Sequence, residues 1–317
     1  MKIDVPKFLT LKHIEDFLSD ISAYLERENS QESDFILDVS KIKEICLLGQ
    51  LVLYKFISYT VEKQCFNSPK ILGINNEILK EQLGRSGFWE LIDTYVRKPN
   101  NKKAIVKSYN NLKIVNEEDF LIAPQKLLRD DSDNKEKLEN EYLDEVLKFY
   151  SNTQKAHTIC FCIAELFSNF WSHATLDSGT VMVARGNGNN IEICFADTGE
   201  GIINSFVNSD KRYKKESKRQ LMKMALSKNG TSKPNTNHLG LGLYMINCVV
   251  SKGTQNIFKI YSDTEEYTYD AKNKGVYKSI SYWKGTITYL KLNIKNLLSL
   301  DKISELKTPA YDKIQWS

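Results

Sequence analysis

Two short apolar runs, Asp34 to Val39 (DFILDV) and Lys70 to Ile74 (KILGI), flank a longer apolar stretch from Leu47 to Glu62. Runs of the first length fit buried strands, and the longer stretch fits a helix laid against them. A strand–helix–strand unit of this kind has to bury its helix on a sheet. Leu11 to Leu25 before it has helical apolar spacing, and Asn76 to Leu83 after it reads as another helix. The first part of the chain is therefore expected to be a small α/β sheet with helices packed on it.

The chain has 317 residues, 41% hydrophobic and 26% charged, which is enough apolar material for a real core and enough length for two domains. The clearest break in composition is Pro124 to Tyr142, PQKLLRDDSDNKEKLENEY, with a turn-like DDSDN centre. It reads as a linker running into a helix and puts a boundary near residue 130, dividing residues 1–125 from 135–317. Before it, AIVKSYNNLKIV reads as a strand or hairpin. Lys and Arg total 44 against 40 Asp and Glu, a net +4 that argues against a dedicated nucleic-acid binder and leaves a local basic patch open. The opening MKIDVPKFLTLKH has no apolar signal core, and ICLLGQLVLYKFI is interrupted by Gln50 and Lys55. A membrane span is not expected. The six cysteines are sparse and form no C-x-x-C pair. A reducing, cytoplasmic setting follows as the expectation.

The second half reads as mixed α/β. Ala156 to Ala174 is helical, and Gly179 to Ala184 and Ile191 to Ala196 are strands joined by the turn GNGNN. A helix starts near Leu241, and strands follow near Asn256 to Ser262 and Gly285 to Leu292.

Three motifs stand in order here. Glu165, Asn169 and His173 are spaced four and four, so a helix puts them on one face. A carboxylate, an amide and an imidazole in line are able to hold a metal ion and activate a nucleophile. Taken alone, the row is also what a solvated helix face shows. Asp197-Thr198-Gly199-Glu200-Gly201 follows the strand EICFA. A carboxylate at a strand end accepts a hydrogen bond from a base amino group, and glycines let a flat ligand approach backbone; a plain turn explains the same letters. Gly240-Leu241-Gly242-Leu243 marks a loop-to-helix junction, where backbone N–H groups suit a phosphate chain or simply a tightly packed helix start. It is not a Walker A loop, since no G-K-[ST] follows, and not a dinucleotide fingerprint, since no strand runs into it.

Together and in this order, ELFSNFWSH, DTGEG and GLGL resemble the ATP-binding domain of the GHKL superfamily, whose members include gyrase B, a heat-shock chaperone ATPase, histidine kinases and mismatch-repair ATPases. GTITYLKL is similar to that family's closing strand, and the resemblance covers about residues 140 to 295. It implies a C-terminal Bergerat-type α/β sandwich with a mixed sheet, and ATP with Mg²⁺ as cofactors. It further implies Asn169 as the metal ligand and Glu165 as general base. Asp197 would bind the adenine amino group with Thr286 in support. Gly199 and Gly201 would let the adenine and ribose approach, and Gly240 and Gly242 would line the triphosphate. Ile202, Leu241 and Leu243 would belong to the same nucleotide-binding set. His173 would contact phosphate or pack the lid.

The lid would be Ile203 to His238, carrying Lys211, Arg212, Lys214, Lys215, Lys218, Arg219, Lys223, Lys228 and Lys233, with Thr231, Ser232 or Lys233 able to reach the γ-phosphate. A basic lid would screen phosphate charge, although the same charges suit a solvated helix. No histidine lies between Asp130 and Tyr150, where histidine kinases carry their acceptor, so histidine autophosphorylation is not expected.

The first domain resembles the STAS fold of anti-sigma-factor antagonists through DFILDVSKIKEICLLGQLVLYKF, KILGI and LGRSGFWELI. Relatives carry a phosphorylatable Ser where this chain has Ile45-Cys46-Leu47-Leu48-Gly49, without a hydroxyl. The resemblance implies a docking or regulatory module for a protein partner. Three functions follow as expectations. One is an ATP-hydrolysing or ATP-gated regulator, which allows a homodimer. The second is a serine/threonine kinase of the anti-sigma-factor type. The third is a module that binds ATP without turnover.

Overall fold

A computed structural model describes residues 2–26, 35–62, 69–98, 101, 103–105, 107, 114–116, 119–127, 132–173, 180–230, 232 and 241–305. The chain begins with β1 (Lys2–Asp4), β2 (Phe8–Leu9), α1 (Ile14–Glu26), β3 (Phe35–Asp38), β4 (Glu44–Ile45), α2 (Leu47–Glu62) and β5 (Pro69–Leu72). α3 (Glu77–Ser86) and α4 (Phe88–Arg97) complete this part. β1, β3 and β5 form a parallel sheet in that order, and β2 pairs with β4. The strand–helix alternation expected from the sequence is therefore present. Asn76 caps α3 by accepting the Leu79 N–H at 3.2 Å, and Gly87, at φ 86°, ends α3 and starts α4.

The larger sheet has six strands in the order β10-β11-β9-β8-β7-β6. These are β6 (Ile114–Asn116), β7 (Phe120–Leu127), β8 (Thr180–Gly186), β9 (Asn190–Ala196), β10 (Ile257–Tyr269) and β11 (Lys274–Asn293). Every pairing in it is antiparallel, which corrects the expected mixed sheet. The reason is local: β6–β7, β8–β9 and β10–β11 are hairpins, and hairpins give antiparallel neighbours. Two further differences concern the expected boundary. Pro124 to Leu127, read as linker, lies in β7, and Ile114–Leu127 pairs into the sheet made by the second half of the chain. The ladder slips between Ile122 and Gln125, around Pro124, which has no N–H to give it.

Between β7 and β8 the chain forms α5 (Ser132–Phe149) and α6 (Gln154–His173); α7 (Gly201–Ser209) and α8 (Lys218–Ala225) follow β9, α9 (Gly242–Lys252) precedes β10, and α10 (Leu300–Glu305) comes last. Strand side chains alternate between the two faces. Met182, Ala184, Ile191, Ile193, Phe195, Phe258, Ile260, Leu290 and Leu292 share a core with α5, α6 and α9. Val181, Val183, Cys194, Ala196, Tyr261, Trp283, Ile287 and Tyr289 share the other core with α1, α2, α3 and α4. The sheet is thus covered on both faces, and its central strands β8 and β9 read as nearly unbroken apolar runs.

α2 explains its own composition. It lies between the small sheet with α4 on one side and β8–β9 on the other, and every residue from Leu47 to Val61 is buried. Ile45 to Gly49 leads into its first turn, with Ile45, Leu47, Leu48 and Gly49 buried. Cys46, Cys160, Cys162, Cys194 and Cys248 are all free, and Cys65 lies outside the described residues. Among the described residues, no helix is long and apolar enough to cross a membrane.

A polar contact ties α2 to the sheet at its rim. Glu62 accepts hydrogen bonds from Tyr95 Oη at 2.6 Å and from Lys126 Nζ at 2.7 Å. Burial pushes the Glu62 carboxyl up, but the Lys126 and Lys55 charges and the two hydrogen bonds outweigh it and hold it below its ordinary 4.5. A depressed carboxyl supplies stability that is complete above the unfolded value and is lost as pH falls through the folded one. The Glu62 side chain is 25% exposed, so water screens the pair and its worth is about 1–2 kcal/mol. Glu62→Gln is expected to lose about that much in urea unfolding at pH 7 and to weaken the fall in stability below pH ~4.5.

Candidate functional site

Glu165 and Asn169 leave α6 on one face and meet the first turn of α9. A Cβ placed on Gly242 would collide with Glu165 Oε2 and lie 3.3 Å from Asn169 Nδ2. Glycine at 242 is what lets the helix start approach the carboxylate. The residue before α9, Leu241, gives its start no side-chain cap, and a helix start directs its first N–H groups outward. Burial pushes the Glu165 carboxyl above its ordinary 4.5. The Asn169 side-chain nitrogen is buried and has no hydrogen-bond partner among the described residues. Such an atom is costly unless something supplies a partner.

Asp197 stands at the end of β9, 4% exposed. Its N–H donates to Thr286 O at 2.9 Å, and its carbonyl accepts from Trp283 Nε1 at 3.0 Å. Its Oδ1 accepts the Gly199 N–H at 2.8 Å. Gly285, at φ 93°, packs so closely that a Cβ there would strike both Asp197 O and Oδ1. Ser262 Oγ closes the arrangement by donating to Gly285 O and accepting the Ile202 N–H, each at 2.9 Å.

The segments converge through packing. Phe170, next to Asn169, lies against Phe195 with ring centroids 6.2 Å apart, two residues before Asp197. Ile202 and Leu243 both pack between the α6–α9 core and a small cluster made by Ile203, Phe206, Leu221 and Ala225. Leu241 is the residue before α9, and α6 ends at His173.

Several expectations change. Gly201, at φ 75°, has Gly285 O and Ser262 Oγ at 2.7 and 2.8 Å from where a Cβ would stand. Its glycine serves the close packing of α7 on the sheet, not the approach of a ligand on that side. Ser232, expected to reach a phosphate, is buried with its hydroxyl 2.8 Å from Ser205 Oγ of α7. Half of the described basic residues of the segment have partners. Lys218 pairs with Asp263 at 2.5 Å, Arg219 with Glu265 at 3.3 Å and Arg212 with Asp210 at 2.6 Å, while Lys223 lies over the Tyr277 ring. Asp263 and Glu265 are buried in the hairpin and need cations beside them. Lys211, Lys214, Lys215 and Lys228 are exposed. Thr231, Lys233 and Gly240 lie outside the described residues.

Ser262, Trp283 and Gly285 were not singled out as site residues by the sequence. Gly285 opens GTITYLKL, the segment similar to a closing strand. The signal for Trp283 was weaker: a bulky indole two residues before a glycine inside a strand.

Chemically, the α6–α9 junction offers a carboxylate biased toward its protonated form, an unsatisfied amide and a helix start. Among the described residues, no group of three or more His, Cys, Asp or Glu is arranged to hold a metal. That donor set still fits Mg²⁺, which keeps several waters and takes one or two protein oxygens when it arrives with phosphates. Asn169 Oδ1 would be one, while its buried Nδ2 is a donor and suits a phosphate oxygen. Compared with protein-family models, with curated proteins and with solved structures, the chain matches none.

The two glycines make opposite predictions. Gly285→Ala forces a side chain into a left-handed conformation and against Asp197 backbone, and is expected to cost about 3 kcal/mol in denaturant unfolding. Gly242→Ala meets only the end of a flexible side chain, and stability is expected to stay within ~1 kcal/mol while Glu165 is displaced.

Proposed function

We propose that the chain binds Mg-ATP at the junction of α6, α7, α9 and the end of β9, and that it is an ATP-hydrolysing or ATP-gated regulator. The observation that carries this reading is the meeting of Glu165 and Asn169 with Gly242 at the uncapped start of α9. The order of the three motifs, which resembles the GHKL ATP-binding domain, supports it further. Asp197 would accept a hydrogen bond from the adenine amino group, and its backbone anchors would hold the carboxylate in place. The N–H groups opening α9 would face phosphate oxygens. Asn169 would hold Mg²⁺, which when bound would neutralise phosphate charge. Glu165 would take the proton of the attacking water or hydroxyl, and its raised basicity suits that task.

A path from this site to the N-terminal part supports the gated reading. α8 follows the site and grips the β10–β11 hairpin through Lys218–Asp263 and Arg219–Glu265. The same hairpin grips α1 through Lys278–Glu15. A shift of α8 on nucleotide binding would pull on the N-terminal part, where a protein partner would read it.

The test follows the γ-phosphate of labelled Mg-ATP, with and without host lysate. Free phosphate that disappears in Glu165→Gln is the expected result, with ATP affinity kept within about threefold. Asp197→Asn is expected to lose ATP binding. Label transferred to another protein would replace the ATPase reading with a protein kinase. Unchanged ATP affinity in Asp197→Asn would remove Asp197 from the site, and no ATP binding by the parent chain would sink the proposal. A base with a raised pKa is lost as pH falls, so the acid limb of the rate profile is expected above 4.5, on the neutral side of an ordinary carboxylate.

A further inference from the structure

We infer that Trp283 is a positioning and specificity-determining residue: its indole N–H fixes the Asp197 peptide and thereby sets how well Asp197 distinguishes purine bases. The inference rests on the nucleotide reading above and goes beyond it. Trp283 is fully buried, in the core shared by the N-terminal helices and the sheet. It lies at an irregularity in the β10–β11 ladder, where the register passes from Ser262↔Thr286 to Asp263↔Trp283. Lys284 and Gly285 are looped out of the pairing, Asp263 has φ 56° and Gly285 has φ 93°. A bulge of this kind re-aims a side chain. Here the indole turns to the end of β9 and donates to Asp197 O at 3.0 Å.

Asp197 is held from three sides by one four-residue segment of β11. Thr286 O accepts its N–H, Trp283 Nε1 donates to its carbonyl, and Gly285 leaves no space behind it. The Gly199 N–H then steadies Oδ1. The indole N–H is the one of these anchors that comes from a side chain. Without it the Asp197 carbonyl loses that donor, and the end of β9 is held less tightly.

The consequence is base selectivity. A fixed carboxylate accepts from the amino group at position 6 of adenine and repels the carbonyl at that position in guanine. Discrimination of this type depends on a well-placed acceptor. A loosened Asp197 weakens ATP binding and tolerates GTP better. Because the same indole is packed among the N-terminal helices, the N-terminal part reaches the base-reading residue through it.

The experiment uses the full chain and measures affinities for Mg-ATP and Mg-GTP. The key variant is Trp283→benzothienylalanine, which keeps the ring shape and replaces N–H by sulfur; Trp283→Phe is the simpler second variant. Phe17→Leu is the control, since Phe17 is buried in the same core, packs edge-on against Phe56 and makes no bond to Asp197. The analogue is expected to keep the melting temperature, to lose about tenfold in ATP affinity and to lose a similar factor in ATP-over-GTP preference. Phe17→Leu is expected to lower the melting temperature and leave the preference alone. A parent-like preference in the analogue and in Trp283→Phe overturns the inference and leaves the nucleotide reading standing. So does an equal change in Phe17→Leu. A parent chain that binds no ATP overturns both.

Discussion

An antiparallel sheet buried on both faces is the constraint on which the molecule depends. Such sheets commonly leave one face to water. Here helices from the second half cover one face and the helices of the first part cover the other. The central strands β8 and β9 are therefore apolar on both faces, and the helix between the two sheets is buried all round. α2 is buried from Leu47 to Val61, with Gln50, Lys55, Ser58 and Thr60 among its buried residues. The two parts of the chain share a hydrophobic core in addition to a chain connection.

The arrangement of the candidate site follows from this. Residues that carry its chemistry project from α6, from the end of β9 and from the start of α9, on the side of the sheet away from the N-terminal helices. Their supports come from the other side. Trp283 belongs to the N-terminal core and holds Asp197, and Gly285 closes the space between them. A chemistry-bearing residue and the residue that fixes it thus belong to different layers of the fold.

The elements were legible where periodicity was strong. Leu47 to Glu62 has the bounds read from the sequence, and the helix carrying Glu165 and Asn169 starts two residues before the expected Ala156, while the expected last residue, Ala174, lies outside the described residues. The strand EICFA followed by DTGEG was also readable, because an apolar run ended at a turn. What was hidden depended on partners distant in sequence. Pro124 suggested a linker, yet a bulge absorbs it inside β7. The basic residues after Asp210 suggested a phosphate screen, yet buried carboxylates more than forty residues downstream claim Lys218 and Arg219. Gly201 suggested ligand approach, yet backbone of β11 fills that side. Local letters cannot show which distant atom occupies a space.

The buried character of α2 has a consequence for synthesis. The helix leaves the ribosome with one flank matched to β5 and α4 and the other matched to β8 and β9, which are made more than a hundred residues later. At ordinary translation rates that interval is on the order of ten seconds. During it the nascent chain carries an oily helix with one flank still uncovered. The first part is in that sense an unfinished half, and its period of greatest exposure to misassembly and to chaperones comes before the strands that cover it exist.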